Sequence, residues 1–138
     1  MKAIIRITGQ IGLTKKVKET LDRLRIRRKY SCVVVKETPV VMGMLKKVVN
    51  FVAYGDINKE TFVELLKNRA QPIDKTKKVN AAKAAEDIEK GKKYSELGLK
   101  PFFRLHPARG GINTKVHFPK GVLGNHKEKI NDLIKRML

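Results

Sequence analysis

Three histidines, His106, His117 and His126, and a single cysteine, Cys32, are the side chains of this 138-residue chain best suited to catalysis or metal binding. His106 and His117 make the only catalytic pairing, as in phosphoesterases that work through two histidines. Such a site needs Ser or Thr two residues after each histidine, and Ala108 and Pro119 stand there. No serine or cysteine has a visible base partner that would activate it as a nucleophile. Cys32 cannot form an internal disulfide, and its neighbours Val33, Val34 and Val35 mark it as a core thiol. Separated histidines without a cysteine pair are too few for a structural zinc site. Gly91-Lys92 is not a phosphate-binding P-loop, because Glu86 occupies the place of its first glycine. The expectation is a protein with no catalysis, cofactor, metal or small-molecule substrate.

The remaining chemistry is ionic. Arg23, Arg25, Arg27, Arg28 and Lys29 form the densest cluster, at the end of a helix and in the turn that follows. They read either as a solvated helix end, with cations meeting the negative pole of the dipole, or as phosphate contacts. A second cluster runs from Arg104 through His106, Arg109, Gly110 and Gly111 to Lys115, His117 and Lys120. Paired glycines let a backbone approach a phosphate with its N–H groups outward, and the flanking arginines supply forked donors. The plainer reading is a flexible turn. Lys46 and Lys47, late in another helix, complete the candidate cations.

Two weaker motifs point the same way. Gly9-Gln10-Ile11-Gly12 has the spacing of the GxxG clamp of KH domains, which makes a free-standing KH-like RNA-binding module the alternative reading. In KH domains that motif joins two helices, whereas here it follows a strand, so a plain strand-to-helix turn is favoured. Phe51-Val52-Ala53-Tyr54 has the aromatics of an RNA-stacking strand. Residues three apart on a strand face opposite ways, which puts at least one of the two rings in the core.

The whole composition supports a polyanion partner. Thirty-two Lys and Arg against thirteen Asp and Glu give a net charge of +19. This self-repulsion is relieved by phosphate backbones, which release counterions on binding. The excess is not a tail, since thirteen basic and four acidic residues fall in 1–58 and nineteen and nine in 59–138. Neither a long apolar span, a signal-like start nor a basic amphipathic helix with a large apolar face is visible, so a soluble, cytoplasmic protein without membrane contact is expected.

The elements that must position these residues are legible by period. Ala3 to Thr8 reads as a strand ended by Gly9. Thr14 caps a helix with Val17, Leu21 and Leu24 on one face. Ser31 to Lys36 is a second strand, and Thr38-Pro39 opens a helix with Val41, Leu45 and Val48 inward. Phe51 to Tyr54, stopped by Gly55, completes a β-α-β-α-β order in residues 1–57. With three strands visible, this is a small α+β sandwich whose helices cover one face of the sheet and leave the other free. Residues 58–138 read as an extension packed on that core within one domain. Asn58 and Asn80 cap helices there, and Asn125 with Glu128 is consistent with a capping box before Ile130, Leu133, Ile134 and Met137. Between them lies a long loop over 100–124, with short strands at 102–105 and 115–118.

Against this background the residues resemble a known family. Thr20-Leu21, Leu24, Ile26, Arg28, Ser31 and Val33, then Thr38-Pro39, Gly43-Met44-Leu45, Val48 and Phe51-Val52, fall at the spacing of large-subunit ribosomal protein thirty. His106-Pro107-Ala108-Arg109-Gly110-Gly111, His117-Phe118, Gly124-Asn125 and Ile130 to Met137 resemble its long archaeal and eukaryotic form. Met42 stands where the family often has arginine. The first strand begins at once, without the basic N-terminal extension of the eukaryotic form, so the archaeal type is the closer match. The resemblance implies a ferredoxin-like β-α-β-α-β core on a small antiparallel sheet, with a helical and loop-rich C-terminal extension. It also implies a non-catalytic structural role in the large ribosomal subunit, against ribosomal RNA and neighbouring ribosomal proteins.

Overall fold

The computed structural model describes residues 1–138 and is built on three strands of five residues each. β1 (Lys2–Arg6), β2 (Ser31–Val35) and β3 (Val52–Asp56) pair antiparallel, with β1 in the middle. Ile5 lies opposite Cys32 on one side and Ala53 on the other. Two crossing helices follow their predicted caps. Thr14 Oγ1 accepts from Val17 N at the start of α1 (Lys15–Arg23), and Thr38 Oγ1 accepts from Val41 N ahead of α2 (Pro39–Val48). Their apolar stripes meet one sheet face in a cluster of Ile4, Leu21, Leu24, Ile26, Val33, Leu45, Val48 and Val52.

The opposite face is not free, contrary to the sequence expectation. β1 and β2 are apolar on both sides, and Ala3, Ile5, Ile7, Cys32, Val34 and Ala53 would present a large bare patch to water. Helices from the second half cover it: α3 (Lys59–Arg69), α4 (Ala81–Lys90) and α5 (Ile130–Met137). They bring Phe62, Leu65, Ala84, Ile88, Leu133 and Ile134 into the larger of the two cores. Cys32 is wholly buried there, and desolvation pushes its thiol up to about 12. Both aromatics of the expected stacking strand, Phe51 and Tyr54, are half-buried against the α1–α2 core. Phe51 precedes β3, so strand alternation does not govern it.

The second half also widens the sheet to the order β4-β2-β1-β3-β5. β4 (Phe103–Arg104) adds antiparallel to β2, with Ser31 opposite Arg104. β5 (Gly124–Asn125) adds to β3 as the only parallel pair. The strand expected at 115–118 is absent. That segment turns back on residues 121–123 through Leu123 N to Val116 O and Phe118 N to Leu123 O, and Pro119 has no N–H with which to extend a ladder.

Two caps differ from expectation as well. Asn125 Oδ1 accepts from Lys127 N, opening the 3-10 turn Lys127–Lys129 rather than boxing α5. Asn58 sits at the N-cap of α3 without capping it. Its own N–H donates to Asn131 Oδ1, while Asn131 Nδ2 donates to the carbonyls of Asp56 and Glu128. One buried amide thus ties α5 to the end of β3. Gly55 lies inside β3, paired with Ala3, and does not end it; glycine is needed there because the Lys127 carbonyl and Ile130 occupy the space a side chain would need.

Candidate nucleic-acid interface

The basic turn between α1 and β2 is held from below by a residue that sequence reasoning passed over. Arg6 lies on the α1–α2 side of β1, in register with Ile4, and is almost wholly buried. Its guanidinium donates to the carbonyls of Thr8 (3.1 Å), Gly9 (2.8 Å), Ile26 (3.0 Å) and Arg27 (2.6 Å). Burial lowers its pKa, which the negative charge of nearby Asp22 opposes. The available signal was a charge at a core position of an apolar strand. Its effect is to lock the Gly9–Gly12 loop to the arginine turn, a lock that Gln10 Nε2 extends to Arg27 O at 3.1 Å.

On this brace, Arg25, Arg27 and Arg28 project beside β4. Together with Asp22, Ser31, Pro101, Phe102 and Arg104 they line an open cleft of about 430 Å³. The Ser31–Arg104 pairing explains the convergence, since it sets the second basic cluster beside the first. Asp22 lies 3.7 Å from Arg27, whereas Arg25, Arg28 and Arg104 have no carboxylate partner. The Arg104 guanidinium lies over the Phe102 ring, 5.1 Å from its centroid, a cation–π contact that holds it beside the cleft.

Arg25 adopts φ 63 just past the end of α1, a left-handed position where glycine is favoured. An arginine there costs stability that a glycine would not. Arg25→Gly is therefore expected to raise stability by about 0.5 kcal/mol while weakening polyanion binding roughly tenfold through a lost charged contact. Paired melting curves and RNA titrations check this, and a variant that gains stability at unchanged affinity would remove Arg25 from the interface.

The other predicted cations disperse. Arg23 pairs with Glu19 at 2.6 Å and shares the α1–α2 groove with Lys16 of its own helix and Lys47 of α2, while Lys46 is exposed on α2. Lys29 lies over the Tyr30 ring at 4.8 Å. Lys115 is exposed on the long loop. His106 Nδ1 meets Pro107 O at 2.9 Å, whereas His117 Nε2 meets Asn50 Oδ1 at 2.8 Å, so the two rings engage different parts of the molecule.

Arg109, Gly110 and Gly111 form a braced turn. Gly110 and Gly111 both have positive φ, at 79 and 75. The Gly111 N–H does not point outward as expected but donates to Ala108 O, leaving the Gly110 N–H as the glycine donor without an acceptor in the chain. Arg136 on α5 holds the turn, with Nε to Arg109 O at 3.0 Å and Nη2 to Gly111 O at 2.6 Å. Beside it lies a second hollow, of about 320 Å³, edged by Lys120, Lys129, Arg136 and one carboxylate, Asp132. Lys129 and Arg136 were missed because a lysine or arginine on the outer face of a helix carries no sequence sign of what it will face.

His126 forms the inner wall of that hollow. It is buried, packs on the Phe118 ring at 4.6 Å, and its Nε2 meets Val122 O at 2.6 Å. Desolvation lowers its pKa below the ordinary 6.5, opposed by the Val122 bond. The unfolded chain therefore binds the proton more readily, so this residue's stabilising contribution is complete above pH 6.5 and declines as pH falls below it. Thermal melts between pH 7.5 and 5 should show that decline. His126→Gln should flatten it, and an unchanged slope in that variant would assign the sensitivity to another group.

Residues 2–52 match the family described as ribosomal protein L30p/L7e. The large ribosomal subunit protein uL30 of Archaeoglobus fulgidus is 40% identical over 99% of this chain and 99% of its own length. The uL30 proteins of Pyrobaculum arsenaticum and Methanosphaera stadtmanae are 39% and 36% identical, over 99% and 100% of this chain and 93% and 100% of their own lengths. Similarity of this extent spans the length of the chain, and the chain belongs to the L30p/L7e ribosomal protein family.

Proposed function

We propose that this chain is a non-catalytic structural constituent of the large ribosomal subunit, in the cytoplasm, that binds ribosomal RNA through basic loops and adjoins other subunit proteins. The observation that carries the reading is the convergence of Arg25, Arg28 and Arg104, without carboxylate partners, on one cleft. Cations held apart from internal acids keep their charge available for phosphate, and counterion release then supplies binding free energy. Arg109, Gly110 and Lys120 supply a second contact on another part of the molecule, at the turn that Arg136 holds, and Lys46, Lys47, Lys115, His106 and His117 are separate outlying contacts. Such a surface reads backbone shape rather than base sequence.

The KH-like alternative has less support, because the Gly9–Gly12 loop joins a strand to a helix and its Gly9 carbonyl is taken by Arg6. Co-sedimentation separates the two readings. A subunit component should travel stoichiometrically with large subunits through a moderate-salt wash, and recovery only from the soluble fraction would refute the assignment.

A further inference from the structure

The arginine cleft has a feature that duplex phosphates alone do not require. Its wall is a guanidinium plane backed by an aromatic ring, Arg104 over Phe102, set within about 430 Å³ of open space. Phe102 is partly buried against the α1–α2 core, so the ring that backs the guanidinium is itself seated on the fold. Unpaired bases stack on aromatic rings and on arginine planes, whereas bases within an A-form helix already stack on one another. The remaining charges complete a nucleotide site: Arg25 and Arg28 line the same cleft, while Asp22 is engaged by Arg27. The strained backbone of Arg25 places a cation where an easier turn would have had none.

Deepening the RNA-binding reading, on which this inference rests, we propose that the cleft receives one unpaired nucleotide. Its base stacks on the Arg104 guanidinium and its phosphate meets Arg25 and Arg28. A single ring-backed plane admits a single base, so the ligand is a bulged or looped-out nucleotide and not a single-stranded run.

The test is affinity for an RNA hairpin carrying one bulged nucleotide, with each of the four bases in turn, against the same hairpin fully paired. At 0.15 M salt the intact protein should bind at least one bulged hairpin roughly tenfold more tightly, the size expected of one stacked base. In Arg104→Lys, which keeps the charge but loses the plane, and in Phe102→Ala, the ratio of bulged to paired affinity should fall to near one. Equal affinity of the intact protein for all five hairpins, or a preference that survives both substitutions, overturns the proposal while leaving general RNA binding in place. Binding to none of them overturns the RNA-binding reading itself.

Discussion

Gly55→Ala is expected to destabilise the protein by about 3 kcal/mol, at the upper end of what overpacking usually costs. A Cβ at this position meets the Lys127 backbone carbonyl, and Ile130 Cβ stands 2.9 Å away. Neither is the flexible end of a side chain, so the strain must be relieved by lifting the 127–130 segment from β3. That movement would loosen the Asn131 bonds to Asn58 and Asp56, and with them the seat of α5. The matched control is Gly43, inside α2, where a Cβ meets nothing within 4 Å. Gly43→Ala should stabilise by about 0.5–1 kcal/mol through helix propensity. Denaturant or thermal unfolding of the two variants should therefore move in opposite directions. Equal and small shifts would mean that the second half does not bear on β3 as closely as the structure shows.

The other large effect concerns charge placement. Arg25→Glu, Arg28→Glu and Arg104→Glu combined should weaken RNA binding on the order of a thousandfold, if each lost charged contact is worth about 1.5 kcal/mol. Reversing Lys75, Lys77 and Lys78 in the exposed segment between α3 and α4 changes net charge equally. Binding driven by overall charge would suffer alike in both triples. Binding through the cleft would be lost in the first and largely kept in the second. Comparable losses would therefore dissolve the cleft as a site and return the account to a diffuse +19 field.

Much of this architecture was legible in advance, for identifiable reasons. Thr14, Thr38 and Asn80 announce their helices because a short polar side chain before an apolar stripe has few other uses, and all three cap as expected. β1 to β3 are apolar runs long enough to stand out. β4 and β5 contain two residues each, and Gly124-Asn125 has no apolar alternation at all, so its pairing with β3 is visible only in three dimensions. The covered second face was implicit in Ala3, Ile5, Cys32 and Val34, but reading only three strands hid the need for cover.

The interface divides the same way. Both arginine clusters were identifiable by density, yet their meeting depends on the Ser31–Arg104 register, which no local pattern encodes. Conversely, the segment from Arg104 to Lys120 reads as one site and becomes three neighbourhoods, since His117 is drawn to Asn50 and Arg109 to Arg136. Arg6 and Arg136 spend their guanidinium donors on backbone carbonyls, so their part is to shape loops rather than to meet phosphate. That distinction depends on partners and not on residue type.

Ultraviolet crosslinking in cells, followed by identification of the RNA joined to this chain, shows directly which RNA the basic surfaces meet. Crosslinks to large-subunit ribosomal RNA are expected, with crosslinked peptides containing residues 25–28, 102–104 or 109–120. Crosslinks confined to other RNA, or an absence of any to the ribosomal large subunit, would contradict the proposed function.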